Sequence, residues 1–213
     1  MKRILSLALC LILFAVSMTA CQKKPPRMEE IDMSPVALSA ATVTEEVTDY
    51  VIISVKDFGE ILVRLYPDVA PVTVENFKNL VSQKFYDGLT FHRIIKGFMI
   101  QGGDPKGDGT GGSSQTIKGE FSDNGFENNL LHNRGVLSMA RSNDMNAASS
   151  QFFIVHDTEG ASHLNGSYAS FGFVVDGMSV VDKIASVTII PSTDGVPFNT
   201  VTISSIRFAS INE

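Results

Sequence analysis

From about residue 50 onward the chain is a succession of short apolar runs that alternate with polar residues and are separated by turns bearing glycine. Val51, Ile53 and Val55 alternate, Asp57-Phe58-Gly59-Glu60 makes a turn, and Ile61, Val63 and Leu65 alternate again. Successive side chains on a strand point to opposite faces, so two such runs across a short Gly-bearing turn predict a β-hairpin. Runs at 90–95, 98–101, 135–140, 151–155, 170–175 and 201–208 predict further short strands. Only two stretches carry helical spacing. Val74, Phe77, Leu80 and Val81 do so after Pro71, with Thr73 as the expected N-cap, and Val180, Val181 and Ile184 do so within 178–186. Many short strands with two helices lead to a closed barrel or a sandwich. There is no internal repeat and one core's worth of strands, so one domain over 48–213 is expected.

The first twenty residues belong to a different layer of information. Lys2 and Arg3 open them, Ile4 to Val16 is apolar except for Ser6, and small residues lead to Ala20 and Cys21. This is the layout of an export signal, and its apolar run is short of the roughly 20 residues a membrane span needs. Met18-Thr19-Ala20-Cys21 resembles a bacterial lipobox, with Met where Leu is usual. The resemblance implies a signal peptide over 1–20, cleavage before Cys21 and acylation of its thiol. Each buried CH₂ contributes about 0.8 kcal/mol, so two or three acyl chains hold a protein firmly at a membrane. The expected location is therefore outside the cytoplasm, at the periplasmic or extracellular face. Residues 22–47 are polar, Pro-rich at Pro25-Pro26 and without period, so 21–47 reads as a flexible tether. Its typical span would be about 25–30 Å.

Composition excludes several classes. The chain carries 17 basic and 23 acidic residues, a formal charge of −6. Loss of Lys2 and Arg3 with the signal would take it to −8. An acidic chain without a basic stripe is not expected to bind nucleic acid. Its two cysteines, Cys10 and Cys21, cannot build a disulfide scaffold, and with four scattered histidines no metal site is expected. Gly107-x-Gly109-x-x-Gly112 matches a dinucleotide fingerprint in letters only, because a β-like or loop segment follows where a helix should start. No cofactor is expected. His132, His156 and His163 read as loop residues.

Two segments concentrate unusual chemistry. Phe91-His92-Arg93-Ile94-Ile95-Lys96-Gly97-Phe98-Met99-Ile100-Gln101-Gly102-Gly103-Asp104 sets an Arg beside an amide and large apolar groups. The second is Gly135-Val136-Leu137-Ser138-Met139-Ala140-Arg141, followed by Ser149-Ser150-Gln151-Phe152-Phe153-Ile154. With GTGG at 109–112 and FGFVVDGM at 171–178, in this order, the chain resembles the cyclophilin-type peptidyl-prolyl cis/trans isomerases over about 50–209.

That resemblance implies a mainly β fold: a closed eight-stranded antiparallel barrel capped by two α-helices. It implies that Arg93 is the catalytic Arg, supported by Gln101. Phe98, Met99, Phe153 and Leu164 would form the pocket for a proline ring. Gln151 and the backbone at Ala140 and Arg141 would hold the substrate chain, with Tyr168 where many eukaryotic members carry His. Arg141 stands where Asn is common. His163 stands where cyclosporin-sensitive members carry Trp, so weak cyclosporin binding is expected. The implied activity is rotation about X-Pro bonds in proline-containing polypeptides by a monomer, assisting exported proteins to fold. The alternative is a proline-segment binder or holdase in which catalysis is incidental.

Overall fold

The structure, a computed structural model, describes residues 24–212. The expected signal peptide and Cys21 lie outside the described residues. Nine strands form one antiparallel sheet: β1 (Ala41–Thr44), β2 (Tyr50–Val55), β3 (Gly59–Leu65), β4 (Thr90–Ile95), β5 (Met99–Asp104), β6 (Val136–Met139), β7 (Phe152–Val155), β8 (Ser170–Asp176) and β9 (Ile203–Ile211). Their order is β1-β9-β2-β3-β8-β6-β7-β5-β4. The first predicted hairpin is β2–β3, with Val55 opposite Gly59 across the turn. Gly59 has φ +124°, a conformation that suits a residue without Cβ.

The expected closed, eight-stranded barrel is corrected in two respects. The sheet has a ninth strand, β1, and its ladder is open. The start of β4 approaches the start of β9, next to the other end of the order: Thr90 bridges Thr202, and Phe91 N–H donates to the Val201 carbonyl at 2.9 Å. No continuous ladder follows, because β4 shifts register at Thr90/Phe91 and again at Phe91/Arg93. Beyond that irregularity, Ile94 N–H donates to the Gly195 carbonyl of a loop at 2.7 Å rather than to a strand.

Among the described residues three α-helices accompany the sheet: α1 (Pro71–Ser82), the single turn α2 (Thr158–Ala161) and α3 (Met178–Ala185). Helices α1 and α3 bury the residues whose spacing predicted them. The N-cap of α1 is Ala70 rather than Thr73, and Pro71 takes the first helical position. The first amides of α1 are satisfied from far along the chain. Buried Glu120 accepts from Val72 N–H at 3.0 Å, and from Thr73 N–H and Oγ1–H at 2.8 Å each. A carboxylate at a helix N-terminus meets both the orphan amides and the positive end of the dipole.

Strand alternation sorts the buried side chains of β4 to β7 into two of the three apolar clusters; the third, Ile52, Leu62, Val175 and Ala209, lies under Val36, Leu38 and Ala41. Ile94, Ile100, Leu137, Phe152 and Ile154 face one way, joining Val51, Ile53, Ile61 and Val63 and the buried side of α1. Met99, Phe153 and Val155 face the other way and join Tyr66, Val69, Leu130, Ala161 and Leu164. Aromatic rings stiffen the first cluster, with Phe77 at 5.2 Å from both Tyr86 and Phe171 and 5.6 Å from Phe152.

The flexible tether expected over 21–47 is instead bound to the body from its described start. Ile31 is buried in the second cluster with Met28 and Met33 packed against it. Asp32 pairs with Arg64, and its carbonyl accepts the Tyr66 hydroxyl at 2.7 Å. Leu38 N–H donates to Asp176 at 2.7 Å, and β1 pairs with β9 from Ala41↔Ile211 to Thr44↔Phe208. These anchors come singly, to partners 32 and 138 positions away for Asp32 and Leu38, so no local period announces them.

Candidate active site

Register sets the frame. Arg93 on β4 lies opposite Gln101 on β5, Gln101 opposite Phe153 on β7, and Phe153 opposite Ser138 on β6. Residues directly opposite in an antiparallel sheet share a face, so one row carries a cation, an amide, an aromatic ring and a hydroxyl. Met99, two residues before Gln101, shares that face.

Nine of the ten residues expected at the substrate site line one pocket of about 180 Å³: Arg93, Phe98, Met99, Gln101, Ala140, Arg141, Phe153, Leu164 and Tyr168. The tenth, Gln151, lines a neighbouring pocket of about 340 Å³ with Gln101 and the 109–113 loop. The apolar floor is closed to water, with Met99, Phe153 and Leu164 all buried. The Arg93 guanidinium is 6.0 Å from the Phe98 ring centroid, within cation–π reach. Its Nη1 lies 3.4 Å from Gln101 Oε1 and 4.0 Å from Met99 Sδ, and its Nε donates to Asp194 Oδ2 at 2.9 Å. Gln101 Nε2 donates to Gln151 Oε1 at 2.8 Å, and Gln151 Nε2 donates to the carbonyls of Gly109 and Gly111 at 3.1 and 2.8 Å. Two amides thus relay orientation from a loop to the guanidinium.

That loop explains the glycine motif at 107–112. The Asp104 carboxylate accepts N–H groups from Lys106 at 2.8 Å and Gly109 at 2.7 Å, with Gly111 at 3.2 Å. A side-chain carboxylate already fills the place a phosphate would take, and these bonds hold the Asp104 acid below its usual range against the opposing effect of burial.

The Arg141 side chain makes contacts of its own, beside the backbone role expected at that position. Its guanidinium lies 4.6 Å from the Tyr168 ring centroid and 5.1 Å from that of Phe121. Nε and Nη2 donate to the Ser167 carbonyl at 3.1 and 2.9 Å. It clamps the rim that carries Tyr168. Ala140 N–H is committed to the Gln151 carbonyl at 2.9 Å.

Sequence reasoning missed two supports. His132 sits on a loop, as expected, but is buried, and its ring stacks on Phe153 at 5.9 Å and 15°. Asn165 Oδ1 accepts from its backbone N–H at 2.7 Å and lies 3.1 Å from Nδ1, while Nε2 lies 3.0 Å from Ser138 Oγ and 3.2 Å from Ser170 Oγ. A carbonyl oxygen only accepts, which assigns the ring proton to Nδ1 and leaves Nε2 to accept from hydroxyls. Burial pushes His132 down to about 4, so the ring is neutral at pH 7. The other missed residue is Asp194, 101 positions from its partner Arg93. In sequence, Thr193-Asp194-Gly195 signals only a turn.

Known proteins resemble this chain across the same region. The family model described as cyclophilin type peptidyl-prolyl cis-trans isomerase/CLD matches residues 50–208. Peptidyl-prolyl cis-trans isomerase B of Bacillus subtilis is 45% identical over 131 residues, covering 62% of this chain and 87% of that protein. A peptidyl-prolyl cis-trans isomerase of Acinetobacter baylyi is 42% identical over 167 residues, 73% of this chain and 84% of its own length. Among solved structures, the Cryptosporidium parvum cyclophilin type isomerase in the presence of the dipeptide Ala-Pro superposes with a TM-score of 0.68 at 31% identity. The match covers 76% of this chain and 99% of that one.

Proposed function

This chain belongs to the cyclophilin-type peptidyl-prolyl cis-trans isomerases, and from that premise we propose that Arg93, Phe98 and Gln101 carry the rotation about an X-Pro bond. The observation that carries this reading is one pocket in which the Arg93 guanidinium stands beside a closed apolar floor. The barrier to peptide rotation, about 18–20 kcal/mol, is lost amide resonance. In the twisted state the proline nitrogen recovers its lone pair and accepts a hydrogen bond. Arg93 supplies the donor from its guanidinium fork. Met99, Phe153, Leu164 and Phe98 hold the ring and exclude water, which strengthens the contact. No bond breaks, so the chemistry needs no nucleophile.

Uncatalysed exchange runs at roughly 10⁻² s⁻¹, and a turnover near 10³ s⁻¹ would require about 7 kcal/mol of transition-state stabilisation. A charged hydrogen bond contributes about 1.5–3 kcal/mol. The balance must come from the fit of the pocket to the twisted amide. In exchange NMR on an X-Pro peptide, Arg93→Ala is expected to lower the exchange rate by about 10- to 150-fold. A proline-limited refolding assay adds the contrast with a holdase, which would leave the slow phase unaccelerated. Wild-type rates in Arg93→Ala overturn the assignment.

In the same reading Cys21 carries lipid and the domain works as a monomer on exported polypeptides. Only Gln22 and Lys23 separate Cys21 from Lys24, which lies beside Pro67, Pro71 and Phe126. An anchor there would hold the domain within about 10 Å of the lipid surface, not 25–30 Å. Mass spectrometry of the membrane fraction tests it: Cys21→Ser should lose both the acyl mass and the membrane association. His163, 5.4 Å from Phe98, supports weak cyclosporin binding, which a direct titration checks.

A further inference from the structure

We propose that Asp194 is a positioning residue for Arg93: its carboxylate sets the plane of the guanidinium that faces the proline pocket. The proposal rests on the reading of Arg93 as the donor to the proline nitrogen. A guanidinium is planar, with its donors in a rigid fork. One bond at Nε, to Asp194 at 2.9 Å, and a longer one at Nη1, to Gln101 at 3.4 Å, fix that plane from two sides. Nη2 makes no hydrogen bond to the described residues, which leaves it as the edge available to substrate.

The carboxylate is held by a built loop. Between α3 and β9, Ile190 N–H donates to Val196 O and Phe198 N–H to Thr188 O, each at 2.8 Å. Thr193 Oγ1 donates to Ile190 O at 2.7 Å and accepts from Val196 N–H at 3.2 Å. The next residue, Gly195, seats the loop on β4 by accepting from Ile94 N–H at 2.7 Å. Gly195 has φ +83°, and a Cβ there would lie 2.7 Å from the Ile94 carbonyl, so the seat admits only glycine. Ile94 follows Arg93 directly, so the loop is fastened one residue from the side chain it orients. A groove of about 420 Å³ runs along this side of Arg93, and Asp194 forms part of its wall with Val196 and the 107–110 loop.

Asp194 is 77% exposed, and exposed ion pairs are weak, which bounds the effect. Asp194→Ala is expected to lower kcat about three- to fivefold with KM within about twofold, since orientation matters at the twisted state more than on binding. Asp194→Asn keeps an acceptor oxygen and should recover most of the loss. In an Arg93→Ala background, Asp194→Ala should change nothing further. The Arg93 Nε–H resonance should shift in Asp194→Ala, reporting the lost bond. The proposal fails if Asp194→Ala turns over at the wild-type rate, or if its effect lies in KM alone. It fails equally if Asp194→Asn falls as far as Asp194→Ala, or if the loss persists in the Arg93→Ala background, as it would for a loop that merely stiffens the fold. An Arg93→Ala variant at wild-type rate overturns the Arg93 reading itself; an impaired Arg93→Ala with an unaffected Asp194→Ala overturns only this proposal.

Discussion

Ile100 and Ile154 point from β5 and β7 into the first apolar cluster, while Met99 and Phe153, one residue away on the same strands, point into the second, with Gln101 on their face. The first face is closed on every side by aliphatic and aromatic groups. The second packs on Tyr66, Leu130 and the N-terminal segment and also lines the open pocket beside Arg93. One pair of strands therefore serves stability on one side and recognition on the other. The alternation of side chains keeps the two jobs one residue apart, so neighbouring substitutions should have opposite signatures.

The largest expected effect is on the closed face. Ile100→Ala removes a fully buried side chain and should cost about 2–5 kcal/mol in denaturant unfolding, while folded protein keeps its kcat. A variant that lost turnover without losing stability would break the division between the faces.

The next is a pH effect on the open face. His132 titrates near 4 when folded and near 6.5 in an unfolded chain. Between these values the unfolded state binds more protons, so this group's contribution is complete above pH 6.5 and is lost progressively down to pH 4. The loss is roughly 3 kcal/mol. Unfolding free energies of wild type and His132→Gln across that window check it: the variant should show a flatter slope, and equal slopes would remove His132 from the account.

Gln101→Ala should reverse the pattern of its neighbour. Losing the relay between Gln151 and Arg93 should lower kcat about five- to tenfold, the size of one hydrogen bond, with stability nearly unchanged. The smallest effect concerns how far the open face extends. Ile31→Ala should cost about 1 kcal/mol, because the site is at the rim and can collapse, with kcat unaltered. A parallel fall in kcat would make the N-terminal segment part of the catalytic apparatus and sharpen the comparison at its far end.

What was legible in the chain was what repeats locally. The eight strands from β2 to β9 and helices α1 and α3 follow from periods of two and of three to four, and all the site residues but Leu164 and Tyr168 cluster in two segments that resemble a known family. What was not legible depends on single contacts between distant positions. Glu120 caps α1 from 47 positions beyond Thr73, and His132 backs Phe153 from another loop. The N-terminal segment reads as a tether because its composition is that of one, and β1 is a strand only because β9 offers an unpaired edge.

The amino-acid sequence by itself determined strands β2 to β9 and the two longer helices, because each is encoded by residue type at short spacing, and its resemblance to a known family picked out the apolar floor and the cation beside it. The tertiary structure decided that the ladder stays open at β4, that residues 24–47 are bound to the body, and that Asp194 meets Arg93. Those outcomes turn on register shifts and on partners a hundred residues apart, where one hydrogen bond decides and no pattern in the chain repeats it.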